Sequence, residues 1–146
     1  MIVHTVKIGE KEGPVSVDHH RMIYVGGAQA DLKHMNLLVY GRHRWEFYIK
    51  GTLDFLTCSR TGLDIKQWKT ATEHKICQAH GVMLLVSNST AEDEGALWEI
   101  DTALTHHVPI VGVDIRSRPE GEVPDKLAGK MTRYGWEWFA QFINNI

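Results

Sequence analysis

Apolar positions along the chain form two kinds of pattern, unbroken runs and runs at helical spacing, and the two alternate. VMLLVS, residues 82 to 87, is apolar until its final serine, which suits a strand covered on both faces. PIVGVDI, residues 109 to 115, is a second run of that kind. A shorter one, Met22 to Val25, ends in Gly26 and Gly27 and leads through a turn into a helix around Ala30 to Tyr40. WEFYIK, residues 45 to 50, is aromatic and β-branched and predicts another strand, followed by a polar connection through Gly62 with little regular structure. Asp64 reads as a helix N-cap, with Ile65, Trp68, Thr72, Ile76 and Ala79 on one face up to Gly81. The turn NSTAEDEG leads into a helix over GALWEIDTAL. After a Pro/Gly-rich loop over 117–124, YGWEWFAQFINNI predicts a closing helix with Trp138, Phe139, Phe142 and Ile146 turned inward.

Alternating strands and helices imply an α/β fold, an open parallel sheet with helices on both faces. Residues 1–21 read as an N-terminal extension in which 2–8 and 15–20 form a hairpin around EKEGP, and residues 22–146 as a single domain. A length of 146 residues suits one core, and 43% hydrophobic with 23% charged residues excludes disordered, fibrous and coiled-coil classes. A formal net charge of -2 gives no electrostatic footprint for nucleic acid or an anionic membrane, so neither is an expected partner. The chain carries no apolar run of about 20 residues and no signal-peptide pattern at MIVHTVKIGEKEG, so a cytoplasmic location is expected. Cys58 and Cys77 are not in ligand spacing and read as reduced thiols; the pairs His19, His20 and His106, His107 lack a completing ligand set, so no metal is expected.

Open parallel sheets bind ligands beyond the carboxyl ends of their strands, at turns that expose backbone N–H groups. Two stretches belong there: Gly26, Gly27, Ala28 and Gln29 after one strand, and Ser87, Asn88, Ser89 and Thr90 after the central one. Glycines permit close approach to the main chain and Ser/Asn/Thr offer short hydrogen-bonding groups, although the chain has neither GxGxxG nor a Walker lysine and turn glycines are common. At about 100° per residue Ala96, Leu97, Ile100, Ala103 and Leu104 share an arc of about 120°, and Glu99 lies about 40° past its edge. Periodicity therefore leaves Glu99 at the border of the core, either a cleft-facing carboxylate or one member of an acidic set with Glu92, Asp93, Glu94 and Asp101 that favours the helix dipole.

Residues 82 to 115, VMLLVSNSTAEDEGALWEIDTALTHHVPIVGVDI, resemble the core of TIR-like domains: an apolar strand, a Ser/Thr turn, a Trp–Glu–Ile element, a helix and an apolar strand after proline. The chain is most similar to the bacterial TIR-like proteins of Thoeris antiphage systems. Met35 to Leu38, WEFYIK, DIKQWK and Tyr134 to Trp136 extend the resemblance across residues 22–146, most strongly over 64–115. GGAQAD departs from the aromatic-rich, acidic opening of many members, and residues 1–21 have no counterpart. The resemblance implies a flavodoxin-like fold, cleavage of the nicotinamide–ribose bond of NAD as substrate rather than cofactor, and Glu99 as the catalytic glutamate. It implies an ADP-ribose-derived, cyclic or conjugated signalling nucleotide in antiphage defence, a homo-oligomer, and a downstream effector that reads the product.

A single carboxylate suits that chemistry. An alkoxide leaving group needs a protonated acid beside a base or nucleophile, whereas nicotinamide in NAD is already cationic and leaves neutral. Trp98 and Trp68 are candidate stacking surfaces as well as candidate core residues, and Arg42 and Arg44 are candidates for a pyrophosphate as well as for a solvated loop. Two other readings remain open at this point: a nucleoside deoxyribosyltransferase-like enzyme with Glu99 as covalent nucleophile, and a non-catalytic TIR-like assembly module.

Overall fold

A computed structural model describes residues 2–7, 20–41, 49–118 and 121–146. Its sheet contains β1 (Ile2–Lys7), β2 (His20–Gly27), β3 (Thr52–Thr57), β4 (Gly81–Val86), β5 (Ile110–Asp114) and β6 (Met131–Arg133) in the order β1-β3-β2-β4-β5-β6. The five strands from β3 to β6 run parallel, and β1 pairs antiparallel with β3 at the edge. This is an α/β, flavodoxin-like open sheet.

Among the described residues four α-helices, α1 (Leu32–Tyr40), α2 (Ile65–Gln78), α3 (Glu94–Thr105) and α4 (Trp136–Asn144), cover it. Side chains alternate across each strand, so successive residues enter different cores. Ile23, Val25, Phe55, Met83, Leu85 and Val113 pack with Leu38 and Val39 of α1 and with Phe139 and Ile143 of α4. Tyr24, Leu56, Val82, Leu84 and Val86 pack on the opposite face with Ile76 of α2 and Ile100 and Ala103 of α3. All six residues of β4 are buried, which is why its sequence is an unbroken apolar run.

The connection from β2 leads to β3 on one side and that from β4 leads to β5 on the other. The order therefore reverses between β2 and β4, the kind of switch point beside which open α/β sheets bind ligands. Gly27 and Leu85 are register partners at the carboxyl ends of these two strands.

Several elements differ from the sequence expectation. The strand beside β2 is TLDFLT, not WEFYIK: residues 45–48 lie outside the described residues, and Ile49 is buried in the core just before Gly51, whose φ of 88° starts the strand. Thr52 and Asp54 interrupt the apolar run because they meet His20, through its Nδ1 and Nε2 respectively, rather than the core. β1 pairs with β3, and the second arm of the expected hairpin, residues 15–19, lies outside the described residues. In α2 Ile65 is 53% exposed while Lys75 is buried. In α4 Phe139, Ala140 and Ile143 are buried, and Trp138 instead packs against Arg133, 5.5 Å from its ring centroid. Trp136 sets that register by meeting Phe139 edge-on at 4.9 Å and Phe55 at 6.5 Å.

Asp64 is the cap of α2: its carboxylate accepts from the Gln67 N–H at 2.7 Å, and the Gln67 side chain accepts from the Asp64 N–H at 3.1 Å. Asp64→Ala is expected to lower stability by about 1 kcal/mol, read as a shift of the urea midpoint at unchanged slope.

Candidate functional site

Glu99 lies on the inner side of α3, where Gly95, Ala96, Glu99, Ile100, Thr102 and Ala103 are buried and Leu97 is only partly so. The buried arc is thus rotated toward Glu99, which is 2% exposed rather than at the border of the core. Below it runs β2. A Cβ on Gly26 would stand 2.8 Å from the Glu99 Cδ, so glycine at this position is what makes room for the carboxyl group. The Gly27 N–H donates to Oε1 at 3.2 Å and the Tyr24 hydroxyl donates to Oε2. Tyr24 reaches α3 because it points to the face of β2 opposite Ile23 and Val25.

Burial pushes the Glu99 carboxyl up to about 7, against the pull of the Tyr24 hydrogen bond, the Arg60 charge and the Gly27 N–H. Burial and the neighbouring Glu99 charge raise the Tyr24 phenol well above its ordinary range, so it remains a donor.

A second set of contacts fixes the elements around this pair. Arg60 follows β3 and grips Asp93 with both ends of its guanidinium, Nη2 to Oδ1 at 2.9 Å and Nη1 to Oδ2 at 3.3 Å, while Nη2 also donates to the Gly27 carbonyl at 3.1 Å. Asp93 is the N-cap of α3, accepting from the Ala96 N–H at 2.8 Å, and it also accepts from the Gln29 N–H at 3.0 Å. Burial alone would raise its carboxyl, but hydrogen bonds from Arg60, Gln29 and Ala96 and the Arg60 charge outweigh that and hold it below the ordinary range. Three segments meet at one ion pair: the turn after β2, the tail of β3 and the start of α3. Arg60 also lies 4.8 Å from the Trp68 ring centroid, and Trp68 donates from Nε1 to the Cys58 carbonyl at 3.1 Å.

Above Glu99 is a pocket of about 230 Å³. Tyr24, Gly26, Gly27 and Glu99 form its floor, Cys58, Ser59, Arg60 and Trp68 one wall, and Met35, Asn36 and Tyr40 of α1 the other. Among the described lining residues Glu99 is the one carboxylate. A larger hollow of about 480 Å³ lies between α3 and residues 122–126; its Asp101 and Lys126 pair with each other, and Glu99 does not line it.

Of the residues expected from sequence, Glu99, Gly26, Gly27 and Gln29 come together at the pocket, and Ala28 is buried behind it. The turn after β4 does not line it. Ser87 donates to Asp31 and its N–H to Thr90 Oγ1 at 2.8 Å, and Ser89 donates from its N–H to Ser87 Oγ at 3.1 Å. Asn88 accepts from the Ser117 N–H at 3.1 Å, so the turn secures the loop after β5. Trp98 packs on Trp68 with centroids 5.9 Å apart, outside the pocket, while Trp68 is in its wall. Arg42 and Arg44 lie outside the described residues. Tyr24 and Arg60 were not singled out by their sequence, Asp93 was read only as one member of an acidic set and Asn36 only within Met35 to Leu38; Tyr24 reads as one more apolar strand residue and Arg60 sits in a stretch without periodicity. Among the described residues no group of three or more His, Cys, Asp or Glu side chains is placed to hold a metal, and Cys58 and Cys77 are free thiols. No protein-family model matches the chain, and no curated protein is significantly similar to it.

Two outcomes follow from the buried carboxyl. Glu99 binds its proton more tightly folded than unfolded, so its contribution to stability is full below about 4.5 and is lost as pH rises to about 7. Glu99→Gln should therefore gain on the wild type by about 3 kcal/mol across that window and then level off, in denaturation curves at stepped pH; parallel curves would contradict the burial. Gly26→Ala, which drives a methyl into the carboxyl group, should cost about 1 to 3 kcal/mol by the same measurement.

Proposed function

We propose that the protein cleaves the nicotinamide–ribose bond of NAD, with Glu99 as the catalytic residue. The observation that carries this reading is a single desolvated carboxylate, held by the Tyr24 hydroxyl and the Gly27 N–H, at the floor of a pocket beyond the carboxyl ends of β2 and β3. Among the described residues each carboxylate oxygen has one hydrogen-bond partner, which leaves it a second lone pair to offer. Ionised Glu99 can accept from the 2′- or 3′-hydroxyl of a ribose and stabilise the positive charge that develops at C1′ as neutral nicotinamide leaves. No general acid is needed for that departure. Arg60 favours the ionised form, and Tyr24 orients it.

The oxocarbenium-like species is then captured by water or by a second nucleophile, giving ADP-ribose or a cyclic or conjugated product. By resemblance to Thoeris TIR-like proteins, the product is a signalling nucleotide of antiphage defence, made in the cytoplasm by a homo-oligomer and read by a separate effector. Among the described residues no helix is long and apolar enough to cross a membrane.

A second reading has one observation in its favour. A pocket of about 230 Å³ matches a nucleoside better than a whole dinucleotide, as a deoxyribosyltransferase-like enzyme would need. There Glu99 would attack C1′ of a deoxynucleoside, forming a covalent glycosyl ester as the base departs.

Incubation with NAD at high protein concentration should release nicotinamide, identified by mass. The rate kcat/KM should rise with pH through about 7 as Glu99 ionises, and Glu99→Gln should lose about 100- to 1,000-fold. Undiminished cleavage by Glu99→Gln contradicts the proposal. A Glu99 adduct with deoxynucleosides, without NAD turnover, would favour the second reading.

A further inference from the structure

We infer that the exposed face of α1 is a second binding subsite, for the distal planar base of a dinucleotide whose first ribose lies at Glu99. This rests on the NAD-type reading above and extends it to the part of the substrate that the inner pocket has no room for. Leu32, Asn36 and Tyr40 are spaced four residues apart, with Lys33 and Leu37 beside them, so all five fall within an arc of about 140°. Leu32, Leu37 and Tyr40 are 42%, 54% and 44% exposed, an apolar surface that α1 turns away from both cores. They line a shallow groove of about 730 Å³.

That groove is continuous with the catalytic pocket: Leu32, Asn36 and Tyr40 line both. The inner space of about 230 Å³ is below the range of about 300 to 1,000 Å³ of sites that enclose a drug-sized ligand. A dinucleotide whose first ribose meets Glu99 must leave the pocket, and the shared wall leads it onto α1. The chemistry of the face suits that occupant. Leu32 and Leu37 offer an apolar surface to the face of a ring, and Lys33 stands on the rim for a phosphate. The Asn36 amide presents a donor and an acceptor side by side, complementary to the amino group and ring nitrogen of an adenine-type edge. A second copy of the chain fits less well, because an apolar contact would desolvate the Asn36 amide in its middle, whereas a base edge answers both of its polar groups.

Titration calorimetry with AMP and, separately, ribose 5-phosphate tests this on the full chain. AMP should bind the wild type, and Asn36→Ala and Leu37→Asp should each weaken it about 5-fold or more. Ribose 5-phosphate, which has no base, should respond equally in wild type and variants. Glu99→Gln should still bind AMP, so failure of catalysis and failure of this subsite give different results. AMP affinity unchanged in both α1 variants, or no AMP binding by folded wild type, overturns the inference. So does a Leu37→Asp protein that changes only its oligomeric state in sedimentation, which would make the face a contact between copies.

Discussion

The structure depends on one constraint, the carboxyl group of Glu99 held out of water between α3 and β2. A carboxylate removed from solvent is stable only where donors replace the water it loses. Here the donors are the Tyr24 hydroxyl and the Gly27 N–H, and both lie on the strand that the helix crosses. The same contact dictates Gly26, since any side chain there would occupy the space of the carboxyl group. Burial still dominates, and the group is poised near 7 instead of remaining fully ionised.

Much of the surrounding architecture keeps that contact in place. The pocket lies beyond the ends of β2 and β3, and the Arg60–Asp93 pair ties the tail of β3 to the first turn of α3 and to the Gly27 carbonyl. Because Asp93 is also the helix cap, the ion pair fixes the height at which α3 presents Glu99. In the proposed reaction this rigidity matters more than the number of charged groups. One oriented anion facing a ribose is sufficient when the leaving base carries its own positive charge. The apolar shelf of α1 then has a role that core packing does not give it.

The parts of this arrangement that sequence made legible are those where one force acts alone. β4 and β5 are buried on both faces, so their runs are unbroken, and α2 begins at a capping box that depends only on Asp64 and Gln67. β3 was missed because Thr52 and Asp54 answer to His20, so the segment lacks the unbroken apolar run that marks β4 and β5. α4 is aromatic on several sides, and its orientation follows from Trp136 packing on Phe55, a contact between distant segments. At the site, the resemblance over residues 82 to 115 singled out Glu99, whereas periodicity alone left it at the border of the core. Tyr24 could not be singled out, because a tyrosine in an apolar strand satisfies the pattern of a core residue. Arg60 acquires its function from meeting Asp93 across the fold, and local spacing carries no trace of that. The Ser87–Thr90 turn misled for the opposite reason: its short polar groups are spent on the turn itself and on the neighbouring loop.

The most direct measurement of this account is a carbon-13 NMR titration of the glutamate side-chain carboxyls, with Glu99 assigned by its absence from Glu99→Gln and repeated in Tyr24→Phe. The account predicts a Glu99 midpoint near 7 that moves to higher pH when the Tyr24 hydroxyl is removed. A Glu99 resonance that titrates near its ordinary 4.5, indifferent to Tyr24, would contradict it.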